Sequence, residues 1–195
     1  MDKTPFNLTQ IENMSVEEIF SEILARQIRA LMFHEQWAII FDFLNLNGFR
    51  TMQEYHYVCE NKMMRDIQKW YIGNHDKLIP EKKISPPYEI PDDWYTAKRE
   101  DATPKNVSQF TERVCTSHME WETETLNFLN AYAKRLHDLS EFNDLIFVQN
   151  MIKDVAYELK KAKTLWLALN SVEWDVVYVQ EIQENFDKKY KKKMK

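Results

Sequence analysis

VEEIFSEILARQIRALMFHEQWAIIFDFLNLNGFRTMQEYHYVCENKMMRDIQKWYIGNHDKLI, residues Val16 to Ile79, is the stretch whose reading decides the fold. Apolar residues recur along it at steps of three and four, the period of a helix that buries one side. The pattern breaks at Asn45-Leu46-Asn47-Gly48, so the stretch reads as a hairpin of two long helices. Ser15 with Glu18 three residues on is a capping box that starts the first helix at Val16. Gly48 is expected to supply its left-handed stop. In the first arm Leu24, Ile28, Leu31, Glu35, Ala38 and Asp42 share a face on this reading, and Glu35 interrupts the row. A carboxylate inside a core needs a partner. Counted from a turn near Asn47, Glu35 comes level with Cys59 and Glu60 on the returning arm. That arm is expected to turn Met52, Tyr55, Cys59, Met63, Ile67, Trp70 and Leu78 inward and to end at Pro80.

Five of the six prolines lie between Pro80 and Pro104, and the two glycines are Gly48 and Gly73. Residues 80–105 are too proline-rich for a helix and too long for a hairpin turn. A thirty-residue helix is about 45 Å long, and some twenty extended residues cover that length. The segment therefore reads as a crossover strap pinned by Trp94 and Tyr95, after which the third helix points the same way as the second. From Lys105 onward there is neither Gly nor Pro. Helices are expected over 16–46, 50–79, 106–139, 143–170 and 173–190. The third carries Phe110, Val114, Trp121, Phe128, Tyr132 and Leu136 inward. The fourth carries Val148, Ile152, Val155, Leu159, Ala162, Trp166 and Leu169. The expectation is one all-α domain over residues 1–195, a size that buries a sizeable core.

The net charge of −5 is unevenly spread: Lys188–Lys195 hold six lysines, leaving −11 for residues 1–187. Such an acidic body suits a basic partner, including a nucleic-acid-binding protein, while the lysine tail suits weak phosphate contact. Two cysteines outside any CxxC pair point to a reducing compartment and away from thiol chemistry or structural zinc. No signal peptide and no membrane-spanning apolar run are visible, so a cytoplasmic protein is expected. Phosphate-binding glycine loops and nucleophile elbows are absent, which sets aside the enzyme classes that need them.

Two long helical hairpins, one long crossover and a short last helix resemble the ferritin-like four-helix bundles. Ala25-Arg26-Gln27-Ile28 resembles the first ferritin helix, and Phe147 to Glu158 resembles the part of the fourth that supplies metal ligands. More narrowly, Phe41-Asp42-Phe43-Leu44-Asn45-Leu46-Asn47-Gly48-Phe49 and Asp154–Leu159 resemble small uncharacterised prophage proteins of Gram-positive bacteria. That resemblance implies a phage origin and no activity.

Di-iron members of the ferritin-like class use a Glu from each of two helices and a Glu-x-x-His from each of the other two. This chain has Glu60-x-x-Met63 and Asp154-x-x-Tyr157 instead, so both diagnostic histidines are missing. That speaks against catalysis. The acids left at plausible heights are Glu35, Glu60, Glu124, Asp154 and Glu158, with an imidazole from His56, which shares a face with Glu60, or from His34. They offer a carboxylate-rich site for iron, manganese or magnesium. On the same reading His118 and His137 lie near helix surfaces, and His75 decorates a helix end. The favoured function is a phage-encoded, non-catalytic interaction protein that binds a host or viral macromolecule through its acidic surface. The alternative is a ferritin-like metal-binding protein with a degenerate site for iron or manganese. A homo-oligomer is compatible with either.

Overall fold

The computed structural model describes residues 8–80, 82, 84 and 102–194. Among the described residues six helices follow one another: α1 (Leu8–Ile11), α2 (Val16–Phe43), α3 (Asn47–His75), α4 (Pro104–Asp138), α5 (Phe142–Asn170) and α6 (Val176–Met194). α1 is a single turn, and Ile11 at its end is buried against the bundle. The capping box is formed as read: the Ser15 hydroxyl accepts from the Glu18 N–H, and the Glu18 carboxylate accepts from the Ser15 N–H at 2.8 Å. Thr103 caps α4 by accepting from the Asn106 N–H, with Pro104 in the first turn, where its missing N–H costs nothing.

Three boundaries depart from expectation. The left-handed residue after α2 is Asn45, at φ 59°, and no glycine has positive φ. α3 stops at His75 because Asp76 turns left-handed at φ 52°, ahead of Pro80. Gly48 serves packing instead: a Cβ placed there would lie 1.8 Å from the Gln183 carbonyl oxygen of α6. The third departure is the lysine run, which continues α6 to Met194 and buries Tyr190 within it.

Ring and charge pairs fix the directions. Phe41 meets Phe110, Phe33 meets Trp121, and Arg26 meets Glu124, so α2 and α4 run oppositely. The hairpin also sets α3 opposite to α2, so α3 and α4 are parallel and need a long connection. That connection falls largely outside the described residues, as do Trp94 and Tyr95. Its first residues lie along α2, where the Ser21 hydroxyl donates to the Pro80 carbonyl at 2.9 Å and Lys82 pairs with Glu22.

In the first hairpin Leu31 and Ala38 of α2 and Met52 and Ile67 of α3 are buried as expected, while the centre of the inward row of α2 lies one residue earlier than expected. α2 buries Phe20, Ile23, Gln27, Ala30, His34, Trp37 and Phe41. One residue is a rotation of about 100°, so this offset turns Glu35 out to solvent and His34 into the core. In α3 the buried row is Phe49, Met52, Gln53, His56, Ile67 and Tyr71, while Cys59 and Leu78 are exposed. α4 follows expectation at Phe110, Val114, Trp121, Tyr132 and Leu136.

Among the described residues most buried apolar side chains fall into two clusters. One holds Trp37, Phe41, Phe49 and Phe110 at the α2–α3 turn, covered by Val179 and Tyr190 of α6. The other holds Phe20, Ile67, Tyr132 and Val148 at the far end. Polar side chains gather between and beside them.

Candidate metal centre

Three helices each deliver one buried histidine to the same point. His34 of α2 is 1% exposed, His56 of α3 6% and His118 of α4 7%. Their ring centroids form a triangle with every side 5.2 Å. One ligating nitrogen from each ring lies within 4.8 Å of the other two. Tetrahedral coordination with metal–nitrogen bonds of about 2.0 Å sets nitrogens about 3.3 Å apart, so the rings would close by roughly 1 to 1.5 Å around an ion.

Helical register explains the convergence. His34 sits one turn beyond Ala30 on the inward row of α2, and His56 one turn beyond Met52 on α3. His118 lies between Val114 and Trp121 on the inward row of α4. Burial drives the His34 imidazole down to about 3, helped by neighbouring His118 and opposed by the Gln53 hydrogen bond. His56 is likewise held well below its usual value, first by burial, then by His34, His118 and the charges of Lys161 and Lys193. Both rings are therefore neutral near pH 7, the state in which imidazole binds a metal. His34 Nδ1–H donates to Gln53 Oε1 at 2.7 Å, which leaves the Nε2 lone pair bare. Such an outer partner is what orients a ligating histidine. His118 Nε2 is buried and makes no hydrogen bond, and the Glu122 carboxylate approaches it to 3.4 Å. A buried polar nitrogen left without a hydrogen bond is costly, which fits a position meant for another ligand.

Next to the histidines lies a polar layer. Gln27 donates its amide to the Glu60 carboxylate and to the Glu60 carbonyl, the latter at 3.2 Å. A small cavity of about 40 Å³ lies among Gln27, Glu60 and Glu122. Glu60 is half-buried as a residue, and its carboxyl is desolvated and pushed up to about 8; the charge of Glu122 adds to the shift and Gln27 opposes it. It holds its proton at neutral pH.

The residues singled out from the sequence scatter. His56 is in the centre and Glu60 is turned inward beside it. Glu35 is exposed on α2, and Asp154 is exposed on α5. Glu124 is engaged by Arg26 at 3.2 Å, whose guanidinium lies over the rings of Trp121 and Phe128. Glu158 is paired with Lys161 at 2.7 Å. The five acids do not converge. His118, expected near the surface, is a core residue, and the signal for it was its place on the Val114–Trp121 row. His137 is exposed, and His75 ends α3, where it contacts the buried Asp144 carboxylate at 3.0 Å.

No protein-family model matches the chain, and none of the curated proteins does. Solved structures do. A humanized archaeal ferritin superposes with a TM-score of 0.69 at 16% identity, over 89% of this chain and 98% of that one. A closed form of the Archaeoglobus fulgidus ferritin, engineered by site-directed mutagenesis, gives 0.67 at 15% identity, over 89% and 97%. A point mutant of the ferritin from the same hyperthermophilic archaeon gives 0.68 at 15%, over 89% and 98%. At these identities the likeness concerns the path of the chain and not the chemistry of its side chains. Helix order, the parallel α3–α4 pair and these superpositions agree: the chain has the fold of a ferritin-like, all-α four-helix bundle with a short C-terminal helix.

Proposed function

We propose that this protein binds a transition-metal ion inside its bundle, with His34, His56 and His118 as ligands. The observation that carries the reading is three buried imidazoles from three helices meeting at one point. His118 Nε2 makes no hydrogen bond and has the Glu122 carboxylate at 3.4 Å, so a ligating nitrogen and a carboxylate lie side by side. The likeness to ferritins supports metal binding as a use of this fold, and the donor set here is the chain's own. Three nitrogens suit iron(II), cobalt(II), zinc or copper better than magnesium or manganese, which prefer oxygen. This shifts the expected site from a carboxylate cage to a histidine centre, with Glu122 and Glu60 as neighbours. A bound ion would supply Lewis acidity in a desolvated pocket. Gln53 orients His34, and the helices hold His56 and His118 at their separations without a loop. The reading of a phage-encoded protein with an acidic docking surface draws no support from the described residues.

The test is metal content after purification without chelators, followed by titration of the metal-free protein with cobalt(II) and zinc. One equivalent should bind the wild type. His56→Ala and His118→Ala should each weaken binding at least a hundredfold, whereas Glu35→Ala and Glu124→Ala should leave it within threefold. Wild-type protein that takes up no metal, or histidine variants that bind as well as it does, would overturn the reading.

A further inference from the structure

A cavity of about 440 Å³ opens beside the histidines, between α5 and α6. His56, His118 and Met52 line it on the bundle side, and its apolar walls come from Leu165 and Ala168 of α5 and from Ile182 and Phe186 of α6. Its size falls within the range of small-molecule pockets, about 300 to 1,000 Å³. The charged residues that line it are Lys160, Lys161 and Lys189 against the single carboxylate of Glu158, and Glu158 is neutralised by Lys161 at 2.7 Å. Two of the three histidines thus face an apolar space with a positive border. Fields from such a border concentrate anions.

We propose that this cavity is the ligand pocket of the histidine centre and that it takes a small organic carboxylate with an aliphatic body. The inference rests on the metal reading above. Imidazole ligands bring no charge to a divalent ion, and three of them leave a tetrahedral ion an open position. His56 and His118 line the cavity, so an anionic group entering from it reaches the histidines. The carboxylate end lies at the histidines. The aliphatic body lies against Leu165, Ile182 and Phe186, where water would otherwise meet apolar wall.

Cobalt(II) makes the test optical, and octanoate is the probe. In the cobalt-loaded protein octanoate should shift the visible cobalt bands saturably, at least tenfold more tightly than acetate, while octan-1-ol leaves them unchanged. Ala168→Trp and Ile182→Trp, which fill the cavity from opposite walls, should bind cobalt within threefold of wild type and weaken the octanoate response at least tenfold. A cobalt spectrum indifferent to octanoate would overturn the pocket and leave the metal centre standing. So would an equal response to octan-1-ol, an equal affinity for acetate, or unchanged responses in both filled variants. If no cobalt bands appear at all, the metal reading itself has failed, and the pocket proposal falls with it.

Discussion

At the scale of single residues, the interior holds groups whose protonation sets how stability varies with pH. The Glu60 carboxyl, pushed up to about 8 by burial and by Glu122, keeps a proton that the unfolded chain releases near 4.5. The folded state therefore binds more protons across that window, and this contribution to stability falls as pH rises from about 4.5 to 8. Glu60→Gln removes the ionisation. In urea unfolding of metal-free protein, its stability relative to wild type should rise between pH 4.5 and pH 8 by on the order of 2 kcal/mol or more. A relative stability independent of pH would show that the carboxyl is not desolvated. His34 acts on the other limb. Its imidazole is held at about 3, against an ordinary value near 6.5, so it is the unfolded chain that takes up the proton. Stability should then fall as pH drops from about 6.5 toward 3, and His34→Gln should flatten that acid limb in the same experiment.

Between elements, the two glycines of α3 make a matched pair. Gly48 lies where α6 crosses, with the Gln183 carbonyl oxygen in the space a Cβ would fill and the Gln183 side chain accepting from the Gly48 N–H at 3.2 Å. Nothing lies within 4 Å of a Cβ at Gly73. Both sit in the helix, so both substitutions gain helix propensity, and only one meets a clash. Gly73→Ala should stabilise by about 0.5 to 1 kcal/mol, and Gly48→Ala should destabilise by about 1 to 3 kcal/mol as α6 is pushed away. Equal effects in chemical denaturation would refute this docking of α6. A second joint ties α3 to α5. Asp144, 2% exposed, accepts from the Trp70 indole N–H at 3.0 Å and contacts His75 Nε2 at the same distance. Asp144→Ala leaves a half-buried indole donor without its acceptor, at a cost of about 1 to 3 kcal/mol. Trp70→Phe in that background should recover part of the loss, because no donor then remains to be satisfied.

For the molecule as a whole, α6 is both part of the core and a wall of the cavity. Tyr190 lies within the lysine run, yet it is buried against Tyr55, with ring centroids 5.2 Å apart, and 6.2 Å from the His56 ring. A frayed tail would tolerate its loss. Tyr190→Ala should instead cost about 3 kcal/mol in urea unfolding, while Lys192→Ala, on the exposed side of the same helix, should stay within about 0.5 kcal/mol. Among the described residues no helix is long and apolar enough to cross a membrane.

The helical hairpins, the capping box of α2 and the parallel α3–α4 pair were legible in the sequence, because they depend on local chemistry. Apolar period, a capping box at Ser15 and Glu18, and a proline-rich gap too long for a turn act over a few residues each. The rotation of each helix about its own axis was not. α2 carries apolar residues around most of its circumference, with Ile39 exposed beside buried Trp37, Ala38 and Ile40, so its pattern fits two faces about 100° apart. Only the packing of α3 and α4 against it chose between Glu35 and His34 as the inward group. The meeting of His34, His56 and His118 follows from three such rotations together, and each depends on contacts between residues far apart in the chain. The sequence by itself thus determined the bundle and its order of helices, while the tertiary structure decided which side chains share its interior.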